Sequence, residues 1–203
     1  MDAPTLESPT GGTRSGMKKA IFIYRDGTLI QEVSYLRMME DLRFTARAAE
    51  ALQIFSALGY LNIVIANQSA VARGLLSPKA LHKIHLKLKG MAKDEDGVIH
   101  DVFYCPHDVK GRVPPYTTEC DCQIPKTGLL QQAADKHHLD LKECILIGDK
   151  VPVLELGKNA GIRTILVLTG AGNQTKQEWA EPVECFPNLF EFAKSLRAVV
   201  PFI

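Results

Sequence analysis

A chain of 203 residues with 46% hydrophobic content holds enough apolar material for one buried core, and 24 Lys+Arg against 23 Asp+Glu leaves a formal net charge of +1. That balance excludes a global basic field of the kind that holds nucleic acid or an anionic membrane surface, so a small molecule or a protein is the expected partner. There is no run of about 18 apolar residues and no basic, apolar, small-residue order at the start, from which a cytoplasmic protein is expected.

Residues 1–16, MDAPTLESPTGGTRSG, are too poor in bulky apolar side chains to offset the entropy of ordering, which predicts a disordered tail ahead of a single domain over 17–203. Short apolar runs follow at 18–24 (KKAIFIY), 60–66 (YLNIVIA), 143–148 (ECILIG) and 163–168 (RTILVL), each read as a strand apolar on both faces. Ala48, Ala49, Leu52, Phe55 and Leu58 recur at helical spacing before Gly59, which reads as a stop. Ser77-Pro78 supplies the N-cap and first position of a second helix, with Leu81, Ile84, His85 and Leu88 on one face. Leu129 to His138 and Asn188 to Val199 are two further helices, and VIHDVFY at 98–104 is another apolar stretch. Strands alternating with helices predict an α/β protein with a doubly wound, Rossmann-like parallel sheet, whose binding crevice lies at the strands' C-terminal ends.

Cys105-Pro106-His107, twelve residues, then Cys120-Asp121-Cys122 offers three sulfurs and one imidazole, a full tetrahedral set for a structural zinc within a loop at 105–122. The alternative is a cluster of unpaired cysteines. Cys144 falls in a strand and is expected as a small core residue. His82, His85, His137 and His138 have no spacing that brings further ligands and are expected as ordinary helix residues. Trp179 is expected to anchor the C-terminal segment.

The order of a first strand with RDGT, NQS-x-x-A-R-G, CPH, CDC and a strand with GDK resembles the histidinol-phosphatase and D,D-heptose-1,7-bisphosphate phosphatase group of the haloacid dehalogenase (HAD) superfamily, over about Lys18 to Gly170. The resemblance implies a HAD fold, a structural zinc in the loop, and a magnesium-dependent attack by an aspartate on a phosphate ester. It places Tyr24 at the nucleophile's position, Asp26 at the general acid's, Asp149 at a magnesium ligand's, and Asn67, Arg73 and Lys150 at positions bounding the substrate. Ser34-Tyr35-Leu36 corresponds to the substrate-facing loop, with packing as the alternative role of its aromatic.

Five positions depart from the group's pattern. Tyr24 stands where an aspartate both attacks phosphorus and binds the metal, and an ordinary phenol, with a pKa near 10, is protonated at neutral pH. Ala66 stands for a phosphate-binding threonine. Gln123 and Ile124 stand for an arginine and a lysine that stabilise developing charge, and Val153 stands for a further acidic residue. Lys126 lies at a variable position and is not their replacement. A pseudophosphatase with a binding, scaffolding or regulatory role is therefore expected, its partner a phosphorylated small molecule or a protein. The alternative is hydrolysis by an altered route, with Asp26 as base and Asp149 as metal ligand. Tyr24 itself reads as a plug bonded to Asp26 or Asp149, as drift at an unused site, or as an engineered change, the last leaving the other four unexplained. Asp26 and Asp149 stand as a weak cation pair or as merely solvated or capping carboxylates, and Arg73 as an anion ligand or a structural partner.

Overall fold

A computed structural model describes residues 16–33 and 38–199. The expected tail, apart from Gly16, and the Ser34 to Leu36 segment lie outside the described residues.

Six strands form one parallel sheet: β1 (Lys19–Tyr24), β2 (Tyr60–Asn67), β3 (Asp101–Cys105), β4 (Ile145–Gly148), β5 (Arg163–Val167) and β6 (Glu184–Phe186), in the spatial order β3-β2-β1-β4-β5-β6. Their connections carry α1 (Ala48–Ala57), α2 (Pro78–Asp94), α3 (Gly128–His137), α4 (Val151–Ala160) and α5 (Gly172–Glu178), and α6 (Leu189–Val199) follows β6. The alternation of β1 divides the core. Ile21 and Ile23 join the apolar faces of α1, α2 and α6, whereas Ala20, Phe22 and Tyr24 join those of α3 and α4. Both faces being covered accounts for strands that read as unbroken apolar runs.

Local chemistry sets the helix boundaries. Ser77 caps α2 by accepting a hydrogen bond from the Ala80 N–H at 3.1 Å, with Pro78 at the first turn. Gly59, at φ +79°, lets the chain leave α1 and enter β2. Two helices and one strand went unread in the sequence, and the apolar stretch at 98–104, to which no element was assigned, ends in β3. The α4 segment, VPVLELGKNA, carries a proline in its first turn and Gly157 packed on Thr164, and α5 is only seven residues long. The missing strand, β6, is a three-residue edge strand beginning at the exposed Glu184.

The strand order reverses between β1 and β4, so their C-terminal ends open a crevice at this switch point. Tyr24 ends β1, and Asp149 directly follows β4.

Candidate active site and metal centre

The turn after β1 is fixed by its own backbone: Gly27 N–H donates to the Ile30 carbonyl at 2.8 Å, and Leu29 N–H donates to that of Arg25 at 3.1 Å. Asp149 lies directly beneath this turn and is 0% exposed. Its Oδ1 accepts the Thr28 hydroxyl at 2.9 Å and its Oδ2 accepts the Ala171 N–H at 2.9 Å, so each oxygen has a protein donor. Gly27 and Gly170, both at positive φ, close over Oδ2 so tightly that a side chain at either would collide with it. Burial pushes the Asp149 carboxyl above the ordinary carboxylate range, against the pull of those two donors.

Asp26 is held from the other side. The guanidinium of Arg25, 2% exposed, grips its carboxylate through Nε to Oδ1 at 3.0 Å and through Nη2 to both oxygens at 2.8 and 2.9 Å. Arg25 Nη1 lies 3.3 Å from Nε2 of His85 on α2, and burial, followed by the Arg25 charge, pulls that imidazole down to about 3. His85 is therefore neutral and accepts the bond. Arg25 and His85 are site residues that sequence reasoning missed. The signal for Arg25 was its adjacency to Asp26; nothing in the local pattern joined either residue to the other, 60 positions away.

Tyr24 is 8% exposed and belongs to one apolar cluster with Phe22, Ile124 and Val153. Three of the five departures in the sequence pattern thus belong to one buried apolar cluster, and a fourth, Ala66, is fully buried in β2. Among the described residues no hydrogen bond joins the Tyr24 hydroxyl to Asp26 or Asp149, so the bonded plug is corrected: the ring packs, but its oxygen is not tied to either carboxylate. Burial first, and then the charges of Asp26 and Asp149, push the phenol well above its ordinary value, so it stays protonated at neutral pH.

Tyr24, Arg25, Asp26, Asn67 and Lys150 line a cleft of about 140 Å³ with Glu32, Gln68 and Ser69. Lys150 bonds the Glu32 carboxylate at 2.6 Å, and its Nζ lies 5.7 Å from the centre of the Tyr24 ring. Asn67 points its amide elsewhere: Nδ2 donates to the Ile124 carbonyl at 3.1 Å and Oδ1 accepts the Ile124 N–H at 3.0 Å. Arg73 is not among the described residues that line the cleft, and its Nε donates to Asp108 at 2.8 Å, as the structural reading expects. Lys126 likewise turns away, to the Cys120 carbonyl at 2.9 Å.

The metal-ligand set converges as its spacing predicts. The ligand atoms of Cys105, His107, Cys120 and Cys122 lie within 4.8 Å of one another, with neighbouring sulfur and Nδ1 atoms 3.3 to 3.7 Å apart. A tetrahedron around a cation with sulfur at about 2.3 Å and nitrogen at about 2.1 Å has edges of roughly 3.6 to 3.8 Å, so shifts of a few tenths of an ångström would seat one. Burial pushes the Cys105 and Cys122 thiols up, and a bound cation would offset the cost of their thiolate forms. Cys144, apart from this set, is buried and accepts the Ala20 N–H at 3.2 Å, as a core residue.

Among known proteins, the HAD-hydrolase-like family profile matches residues 122–192. The D-glycero-alpha-D-manno-heptose-1,7-bisphosphate 7-phosphatase of Photorhabdus laumondii is 36% identical over 180 residues, 88% of this chain and 97% of that protein. The D-glycero-beta-D-manno-heptose-1,7-bisphosphate 7-phosphatase of Pasteurella multocida is 35% identical over 185 residues, 88% of this chain and all of that protein. Among solved structures, the D,D-heptose 1,7-bisphosphate phosphatase from B. bronchiseptica, complexed with magnesium and phosphate, superposes with a TM-score of 0.80 at 26% identity, over 91% of this chain and 100% of that one.

Proposed function

Because the chain belongs to the HAD-like D-glycero-D-manno-heptose-1,7-bisphosphate 7-phosphatase family, we propose that it is a catalytically impaired member, a pseudophosphatase whose cleft binds or displays rather than hydrolyses. The observation that carries this reading is Tyr24: a protonated phenol, in one buried apolar cluster with Ile124 and Val153, at the end of the strand where the resemblance expects an attacking carboxylate. Its hydroxyl is neither a ready nucleophile nor an anionic metal ligand. Replacing the expected arginine and lysine with Gln123 and Ile124 removes two cations, each worth roughly 2 to 4 kcal/mol of transition-state stabilisation. Members of a catalytic set act together, so these losses compound with that of the nucleophile.

The relatives' fold implies magnesium, and the residues present here do not fit it. Asp149 is buried and already accepts from Thr28 and Ala171, Asp26 is paired with the Arg25 guanidinium, and position 24 brings no charge. A divalent cation would therefore meet a single unpaired carboxylate beside a cation rather than a cage of anionic oxygens. Hydrolysis by water with Asp26 as base meets the same obstacle, since its carboxylate is held by a buried guanidinium. Zinc, by contrast, fits the Cys105, His107, Cys120 and Cys122 set. All four positions would be protein ligands, so the cation would fasten the loop and leave no place for substrate. The loop in turn backs the cleft through Asn67 and Ile124, and through Gln68 N–H on the Cys105 carbonyl at 2.7 Å.

Phosphate release from a panel of phosphate monoesters, heptose bisphosphate included, tests the proposal with purified protein and magnesium. No turnover above an Asp26→Asn variant is expected. Turnover that the Asp26→Asn change abolishes would overturn it.

A further inference from the structure

Around the cleft two cations, Arg25 and Lys150, face two carboxylates, Asp26 and Glu32, and each cation already has its anion. The pairs differ in mobility. Arg25 and Asp26 are 2% and 13% exposed, whereas Lys150 and Glu32 are 27% and 45% exposed, so the second pair opens more readily. Lys150 is held from two sides, by the Glu32 carboxylate at 2.6 Å and by the Tyr24 ring with its centre 5.7 Å away. The other Glu32 oxygen lies 3.0 Å from where a side chain on the turn glycine, Gly27, would begin, so the carboxylate sits beside both the turn and the lysine.

We propose that Glu32 occupies the place of an anionic ligand group: the cleft is a phosphate-sized anion site closed by the protein's own carboxylate, and it admits a phosphate at Lys150 only when Glu32 moves aside. This inference rests on the reading of the cleft as a binding site for a phosphorylated ligand and deepens it, assigning Glu32 as the gate. With Glu32 in place the charges lining the cleft cancel, and a phosphate would meet two carboxylates. Neutralising Glu32 leaves one net positive charge and an unpaired lysine, a local field that favours an anion. Glu32 is half exposed and belongs to neither core cluster, so its removal alters the cleft without opening the core.

Calorimetric titration with inorganic phosphate, in magnesium-free buffer at low ionic strength, tests the gate. The Glu32→Gln variant should bind phosphate about tenfold more tightly than the unmodified protein, equivalent to about 1.4 kcal/mol. Adding Lys150→Met to that variant should remove the gain, and Glu32→Ala should reproduce it, which guards against a fault peculiar to glutamine. Affinity in both Glu32 variants no higher than in the unmodified protein would overturn the proposal, as would a gain that survives Lys150→Met. Phosphate-ester turnover measured on the same samples separates the two readings: hydrolysis by the unmodified protein would defeat the pseudophosphatase, and the ordering of phosphate affinities would still decide the gate.

Discussion

Tyr24 carries a hydroxyl that neither Asp26 nor Asp149 accepts, so its ring, in one buried apolar cluster with Phe22, Ile124 and Val153, accounts for its place. Equilibrium denaturation should therefore show Tyr24→Phe within about 0.5 kcal/mol of the unmodified protein. Tyr24→Asp should lose about 3 kcal/mol or more, because it removes a packed ring and sets a new carboxylate beside Asp26 and Asp149. Equal stability of the aspartate variant would mean that the pocket still accommodates a charge. His85 gives a second residue-level expectation. Its folded value of about 3 lies below the unfolded value near 6.5, so the unfolded chain takes up a proton that the folded one refuses. The stability is fully present above about pH 6.5 and falls as the pH drops from there toward 3, with a slope of up to about 1.4 kcal/mol per pH unit from this proton. His85→Gln retains an acceptor for Arg25 without the titration, so its stability should vary less over that window. Parallel pH profiles for the two proteins would contradict the assignment.

Among the elements, the 105–122 loop is tied down by the Arg112 and Val113 N–H groups on the Ala72 carbonyl at 2.6 and 2.9 Å and by the Arg73–Asp108 pair, and its four ligand side chains converge within 4.8 Å. Metal analysis should find about one equivalent of zinc, and chelation should speed amide exchange in the loop before it reaches the core beneath α1 and α6. Less than about half an equivalent in carefully purified protein would count against a structural site. This loop was legible in the sequence because its chemistry lies in ligand type and short spacing. Strands β1, β2, β4 and β5 were legible because both faces are covered, which writes an apolar run into the chain. Strand β6 was not, since three residues at an edge carry no period. The pairings of Arg25 with His85 and of Lys150 with Glu32 were hidden for a different reason: they join residues 60 and 118 positions apart, which only the closed fold brings together.

Across the whole molecule, the reversal of strand order between β1 and β4 keeps the crevice where ligands bind in such sheets, while the groups around it are already satisfied. Magnesium should then add nothing to stability. With about 10 mM magnesium, the melting temperature should stay where it is in its absence, whereas a site with a Kd of about 0.1 mM would stabilise the fold by about 2.7 kcal/mol. The decisive measurement is a single-turnover assay, with the unmodified protein in excess over D-glycero-D-manno-heptose 1,7-bisphosphate and magnesium present, in which slow or product-limited chemistry cannot hide. An impaired site predicts no phosphate release above that of the Asp26→Asn variant over hours; a burst of one phosphate per substrate, absent from that variant, would contradict it.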